Sequence, residues 1–246
     1  MKKMWIHQIH NFGLGNFINC TAAIKRLAQI KKHPIDVYFD LPFVRDCFKD
    51  CEFINTLDKK PNTKPLFTSV LTGTNWNNKP DYQFIYENVI GEKWNGQRCY
   101  IDKPKGYDIP KVPYVVIVHG SGNESRQYLD TKEVDLATLL NAVKACKKKN
   151  FEIVFTGSIN DLQRNTWLQP YAKGIGNVRH ALSLLSGASL VIGNDTGLIH
   201  AAGAMNKKMF VFWKNTQLPR CMNSGLDCTY LMQSEWHRVN DLILSL

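Results

Sequence analysis

Acidic side chains are scarce in this chain. Asp and Glu total 21 against 31 Lys and Arg, a formal net charge of +10 over 246 residues. No cluster of carboxylates stands out that would build a metal site. Seven cysteines, an odd number, fit no even disulfide framework, and pairs such as Cys47/Cys51 and Cys221/Cys228 lack zinc-binding rhythm. Reduced, mostly buried thiols are expected. No apolar run approaches the roughly 20 residues of a membrane-spanning helix. The basic start around Lys2 and Lys3 is followed by His7, Gln8, His10 and Asn11, which interrupt any signal-peptide core. These absences point to a cytoplasmic enzyme or binding protein. The 44% apolar content, by contrast, is enough to build a core and argues against disorder.

The basic excess is spread along the chain. Residues 1–110 hold 16 Lys/Arg against 11 Asp/Glu, and the remainder 15 against 10. Such a distribution suits a phosphorylated small molecule, an anionic lipid head or nucleic acid, or simply a basic surface. No nucleic-acid-binding module accompanies it, so nucleic acid is the weakest of these partners.

The stretch from Ala188 to Ala204 organises the rest. Leu190-Val191-Ile192 has strand length and β-branched content, Gly193-Asn194-Asp195-Thr196-Gly197 is a polar turn, and residues 198–205 suit a buried helix. A strand, a tight turn and a helix start gather unpaired N–H groups and partial positive charge at one point. Asp195 and Thr196 can cap the helix, Thr196 or the backbone can contact a phosphate, and His200 can face the same crevice. The competing reading is a capped helix with a core histidine.

Residues 4–9 read as a first strand, 10–16 as a glycine-rich turn with Gly13 and Gly15, and 17–30 as a helix. The turn lacks the third glycine of a dinucleotide fingerprint, which argues against a nicotinamide-dependent oxidoreductase. Residues 35–39 form a second strand, 42–48 a short helix, and Phe53-Ile54 the edge of a third strand. Strand, helix and strand at this spacing indicate a right-handed parallel unit. Residues 58–80 read as loop, and the alternation at 82–86 as another strand. The Pro- and Gly-rich stretch 91–113 marks a boundary, giving a first domain at 1–110.

The second domain, 111–235, repeats one pattern. Strands at 114–118, 151–155, 190–192 and 209–212 each end in a polar turn, with a helix at 134–148 and a closing helix within 236–246. The turn after the first of these offers His119, Gly120, Ser121 and Arg126 as a clamp for a diphosphate. The turn after the second offers Gly157 and Asp161, and the last turn Lys214 and Thr216. In a parallel sheet such ends share one edge, where ligands bind. The pattern says small-molecule site, with a phosphorylated ligand expected, and names no reaction.

The run from Leu190 to Ala202, the Gly13-Leu14-Gly15 turn and the turn Phe212-Trp213-Lys214-Asn215-Thr216 together resemble the ADP-heptose:lipopolysaccharide heptosyltransferases, glycosyltransferase family 9. The likeness is continuous over residues 112–246 and patchy before. It implies an α/β, GT-B-like fold of two Rossmann-like domains facing across a cleft, the first and reduced one on the acceptor side. It implies inverting transfer of a sugar from a nucleoside-diphosphate donor, an ADP-sugar on the family pattern, to a saccharide or lipopolysaccharide-type hydroxyl, without metal or cofactor. By this resemblance Asp195, Thr196, Gly197 and His200 hold the donor's sugar and diphosphate. Arg126 falls where a basic residue approaches the phosphates, Gly157 and Asp161 fall near the nucleoside, and Thr216 matches the last turn. The family's general-base aspartate falls at Asn16, which accepts no proton. His10 and His119 are the replacement candidates. The alternatives are a nucleotide-sugar-binding module without catalysis, a hydrolytic or epimerase-like relative, and a glycosyltransferase acting on modified nucleic-acid bases. The expected partners are a nucleotide sugar and an anionic glycan or lipid-linked acceptor, with peripheral contact at the inner face of the membrane.

Overall fold

The computed structural model describes residues 4–9, 13–68, 79–120, 132–214 and 227–246. The described chain divides into two compact units, one ending at Asp102 and the other starting at Lys103. Each carries its own all-parallel sheet.

In unit 1 the order is β1 (Trp5–Gln8), α1 (Leu14–Lys31), β2 (Ile35–Phe39), α2 (Pro42–Asp46), β3 (Ile54–Leu57) and α3 (Asp81–Ile90). The strands pair β1-β2-β3, in register from Trp5 opposite Asp36 to Gln8 opposite Phe39. The helix α1 buries Phe17, Ile18 and Ile24, and the Phe17 ring meets Phe39 and Phe48 edge-on at 4.9 and 5.0 Å. Such aromatic edges add to the apolar area that anchors a helix on a sheet.

Two expectations change here. The helix begins at Leu14, with Gly13 as its N-cap, so Gly15 and Asn16 lie inside its first turn and not in a preceding loop. Buried Leu14 pulls the start forward. Residues 82–86 are helical, not extended: α3 buries Tyr82, Ile85 and Tyr86, the i, i+3, i+4 spacing of a helix face. Gly91, at φ 78°, closes it in the left-handed conformation and donates its N–H to the Glu87 carbonyl.

Unit 2 runs β4 (Tyr114–Val118), α4 (Leu136–Lys148), β5 (Glu152–Phe155), α5 (Ile159–Arg164), a 3-10 helix (Thr166–Tyr171), α6 (Val178–Gly187), β6 (Leu190–Asn194), α7 (Gly197–Ala204), β7 (Met209–Trp213), β8 (Cys228–Met232), a 3-10 helix (Gln233–Arg238) and α8 (Val239–Leu244). The sheet order is β5-β4-β6-β7-β8. Strands β4, β6 and β7 are buried along their whole length, as parallel strands covered on both faces must be. Leu139, Val143 and Cys146 of α4 join Ile117, Phe155, Ile192, Phe212, Trp236 and Ile243 in one core on one face. Ile199 of α7 approaches Gly193, whose face of β6 is opposite that of Leu190 and Ile192. The strand β8 carries no legible apolar pattern, because as an edge strand it buries only Leu231. The 3-10 helix Thr166–Tyr171 contains Pro170. None of the six described cysteines belongs to a disulfide, and five of them are buried.

Candidate functional site

In unit 2 the chain leaves β4 towards β5 on one side and leaves β6 towards β7 on the other. The neighbours β4 and β6 therefore flank the point where the strand order reverses, the place at the carboxyl ends of the strands where open α/β sheets bind their ligands.

The two strand ends are fastened together by Asn194. Its Nδ2 donates to the Gly120 carbonyl at 3.0 Å, and its Oδ1 accepts from the Gly120 N–H at 3.2 Å. The fully buried side chain thereby imitates a peptide and extends the β4–β6 ladder beyond Val118 opposite Gly193. Two glycines make this approach possible. A Cβ at Gly193 would strike the Val118 carbonyl, and one at Gly120, where φ is 135°, would fall on the Asp161 carboxylate.

His119 is buried beside this clasp. Its Nε2 accepts from the Val134 N–H at 3.3 Å, so the ring proton resides on Nδ1 and is donated to Asn165 Oδ1 at 3.0 Å. Burial lowers its pKa despite these bonds, and the ring is neutral near pH 7. Asp161 closes a capping box at the start of α5: its carboxylate accepts from the Ser158 N–H at 3.0 Å and hydroxyl at 2.7 Å, and Ser158 Oγ accepts from the Asp161 N–H. The Ser-x-x-Asp spacing is the sequence signal for that role. Gly157 lies directly before this box and its missing side chain leaves room for the Asp161 carboxylate.

Beyond Asn194 the chain turns through Asp195 and Thr196 into α7. Asp195, largely buried, receives Lys132 Nζ on Oδ2 at 2.8 Å and His200 Nε2 on Oδ1 at 3.3 Å. Lys132 also reaches the Asp195 carbonyl at 3.3 Å. Burial would raise the Asp195 carboxyl, but the His200 hydrogen bond and the charges of His200 and Lys132 outweigh it and bring the pKa down to about 2. The residue is therefore an anion held between the Lys132 ammonium and the His200 ring.

Thr196 is the N-cap of α7 but does not cap with its side chain. The N–H groups of Gly197 and Leu198, which lie in the first turn and have no intrahelical acceptor, therefore gain none from the cap side chain. Thr196 Oγ1 and His200 Nδ1 are buried without a hydrogen-bond partner among the described residues, and so are Thr156 Oγ1 at the end of β5 and Trp213 Nε1 at the end of β7. Buried polar atoms are rarely left unpaired. Four of the nine such atoms among the described residues lie at the carboxyl ends of this sheet's strands or in the helix that follows β6, and with a helix N-terminus and an adjacent cation they are suited to an anionic ligand.

The structure thus brings together Gly120, Asp195, Thr196, Gly197 and His200, with His119, Gly157 and Asp161 as their support. Lys214 follows β7 at the same edge and is exposed. His10, Ser121, Arg126 and Thr216 lie outside the described residues. Gly13, Gly15 and Asn16 form the start of α1 in unit 1, where Asn16 is exposed at the third helical position. Lys132 and Asn194 carry no motif of their own. Lys132 meets Asp195 across 63 positions, a distance that local spacing does not reveal. Among the described residues no group of three or more His, Cys, Asp or Glu is placed to hold a metal ion.

The family model for glycosyltransferase family 9 (heptosyltransferase) matches residues 86–223, more than half of the chain. No curated protein matches it in sequence. In fold it is similar to ADP-heptose LPS heptosyltransferase II of E. coli, with 12% identity and a TM-score of 0.71 over 98% of this chain and 99% of that one. It is similar also to a family 9 glycosyltransferase from Veillonella parvula, with 12% identity and a TM-score of 0.69 over 98% and 89% of the two chains. The E. coli heptosyltransferase WaaC, solved with ADP, gives 11% identity and a TM-score of 0.64 over 98% and 99%.

Proposed function

The chain belongs to glycosyltransferase family 9, and from that premise we propose that it transfers a sugar from a nucleoside-diphosphate donor to an acceptor hydroxyl, with unit 2 holding the donor. The observation that carries this reading is the convergence of Lys132, Asp195, His200 and the open N-terminus of α7 at the strand-order reversal.

In this reading the donor's diphosphate accepts hydrogen bonds from the N–H groups of Gly197 and Leu198 and from Thr196 Oγ1. As the acceptor oxygen forms its bond to the anomeric carbon, the bond from that carbon to the phosphate oxygen breaks, and the leaving diphosphate gains negative charge. Lys132 and the helix N-terminus are already in place to offset that charge, so no reorganisation is required at the moment of transfer. Asp195 keeps both Lys132 and His200 oriented, and the free Nδ1 of His200 is the group aimed at the donor. Gly120 lets the end of β4 come close, and Arg126, Lys214 and Thr216 are further donor contacts on the family pattern. ADP is the favoured nucleotide because WaaC was solved with it.

The proton released by the acceptor needs a base. Asn16 has no group to receive it, and both nitrogens of His119 are used. His10 is therefore our candidate. A donor-binding protein without transfer is the second reading, and Asn16 is the observation that favours it. The acceptor we propose is a saccharide or lipid-linked glycan.

The test measures nucleoside diphosphate release from a panel of nucleotide sugars with and without glycan acceptors, alongside ADP and adenosine binding by calorimetry. Lys132→Ala should weaken ADP at least about tenfold, as expected for loss of a charge-assisted contact, and leave adenosine unchanged. Acceptor-dependent release supports transfer, and binding without release supports the second reading. Equal losses for ADP and adenosine, or wild-type ADP affinity in both Asp195→Asn and His200→Ala, would remove the site assignment.

A further inference from the structure

Two of the unpaired buried atoms lie at the outer strands of the sheet edge and take no part in the transfer scheme. Thr156 directly follows β5, is fully buried, and continues the ladder by donating its N–H to the Ile117 carbonyl at 3.2 Å. Trp213 is the last residue of β7, 2% exposed and opposite Met232 of β8. Neither Thr156 Oγ1 nor Trp213 Nε1 has a hydrogen-bond partner among the described residues.

Successive side chains of a strand alternate between the two faces of its sheet. Ile153 and Phe155 of β5, like Phe210 and Phe212 of β7, fill the core on the face that α4 covers. Thr156 and Trp213 therefore both fall on the other face, where Ile199 of α7 approaches Gly193. Thr196 Oγ1 and His200 Nδ1, also unpaired, lie between them in the order of the strands, after β6. Neighbouring strands are about 4.8 Å apart, so the three spacings from β5 to β7 amount to about 14 Å. A phosphate or a single sugar ring is too short to touch both ends. A base, ribose, diphosphate and second sugar joined in line is long enough.

An unmet buried donor or acceptor costs the free chain stability, and an apolar residue of like shape removes that cost. Valine has the shape of threonine, and phenylalanine keeps most of the ring of tryptophan. The polar versions nevertheless stand at both ends of the row. We infer that Thr156 and Trp213 select the two ends of the donor, Thr156 the base and Trp213 the transferred sugar. A hydroxyl both gives and takes a hydrogen bond, as the amino group and ring nitrogen of adenine together require. An indole N–H only gives, and a sugar hydroxyl oxygen accepts it. Both atoms are closed to solvent in the free chain, so each contact forms by a small local shift as the ligand settles. The Asn194 clasp joins β4 to β6 and leaves these outer ends outside it. The inference rests on the proposed donor reading of unit 2 and extends it from the diphosphate to the groups on either side.

Calorimetry on the full chain with pyrophosphate, ADP and ADP-glucose tests it, with Lys132→Ala measured alongside. Thr156→Val should weaken ADP and ADP-glucose about fivefold, the factor of one net hydrogen bond, and leave pyrophosphate unchanged. Thr156→Ser, which keeps the hydroxyl, should bind all three as the wild type does. Trp213→Phe should weaken ADP-glucose by about the same factor and leave ADP and pyrophosphate unchanged. Without ligand, Thr156→Val should melt at or above the wild-type temperature, because it removes an unmet polar group. A lower melting temperature, or equal losses for all three ligands in either variant, would assign these side chains to packing and overturn the inference. Wild-type affinities in both variants, while Lys132→Ala still weakens ADP, would overturn it and leave the donor reading standing. If the wild type binds none of the three, or Lys132→Ala leaves ADP unchanged, the donor reading itself falls.

Discussion

Replacing Asp195 with Asn separates the charge of this residue from its shape. Asparagine keeps the volume and two polar atoms but cannot be anionic, so the variant resembles the wild-type site with Asp195 protonated. In the folded protein the carboxyl falls from its ordinary 3.8 to about 2. Each pKa unit is worth about 1.4 kcal/mol, so the ionised form contributes on the order of 2 kcal/mol to stability at neutral pH. The side chain is only 12% exposed, so solvent screening removes little of this. The sign follows from the depressed pKa: the contribution is complete above pH 4 and is lost as pH falls from about 4 towards 2. Urea unfolding of both proteins at a series of pH values, with hydrogen exchange of the β6 amides to localise the effect, measures it. The variant should be less stable by about 2 kcal/mol at pH 7, and the gap should close as the pH falls below 4. A gap of the same size at every pH would show that shape, not charge, matters here. No gap at pH 7 would refute the description of Asp195 as an anion held between Lys132 and His200.

Asn194→Ala removes both bonds to Gly120 and strands its buried N–H and carbonyl, which should cost about 2–4 kcal/mol in urea unfolding. Gly120→Ala places a methyl group on the Asp161 carboxylate at a φ of 135° and should cost more than about 2 kcal/mol, with a lowered melting temperature as the readout. Asn16→Asp puts an acid in the first turn of α1, which has none, and should raise the stability of unit 1 by about 0.5 kcal/mol. If Asn16 occupies the acceptor-activating position, the same variant should also speed acceptor-dependent diphosphate release, and an unchanged rate would place the base elsewhere.

Most of the parallel sheet architecture was legible because buried parallel strands announce themselves. Val115 to Val118 and Leu190 to Ile192 are apolar on both faces, so no alternation is needed to find them. The misread segment 82–86 is too short for alternation to be told from helical spacing, and only the burial of Tyr82, Ile85 and Tyr86 together settles it. The edge strand β8 is hidden for the opposite reason, since an edge buries too little to leave a pattern. At the site, Asp195 and His200 were legible because they sit five residues apart on one turn and helix, where they meet at 3.3 Å. Lys132 was not, because nothing local ties it to a residue 63 positions away. For Asp161 the structure adds a local role that the sequence reading passed over: its Oδ2 accepts from the N–H and the hydroxyl of Ser158.

The stitch that Asn194 makes has a consequence for how such a pocket can be remodelled. One amide side chain welds two neighbouring strands at their tips, so under the proposed function a donor would meet residues 193–197 already tied to Gly120. Libraries aimed at a new donor should spare the weld, since changes to Asn194 would loosen this pair of strand ends whatever the donor.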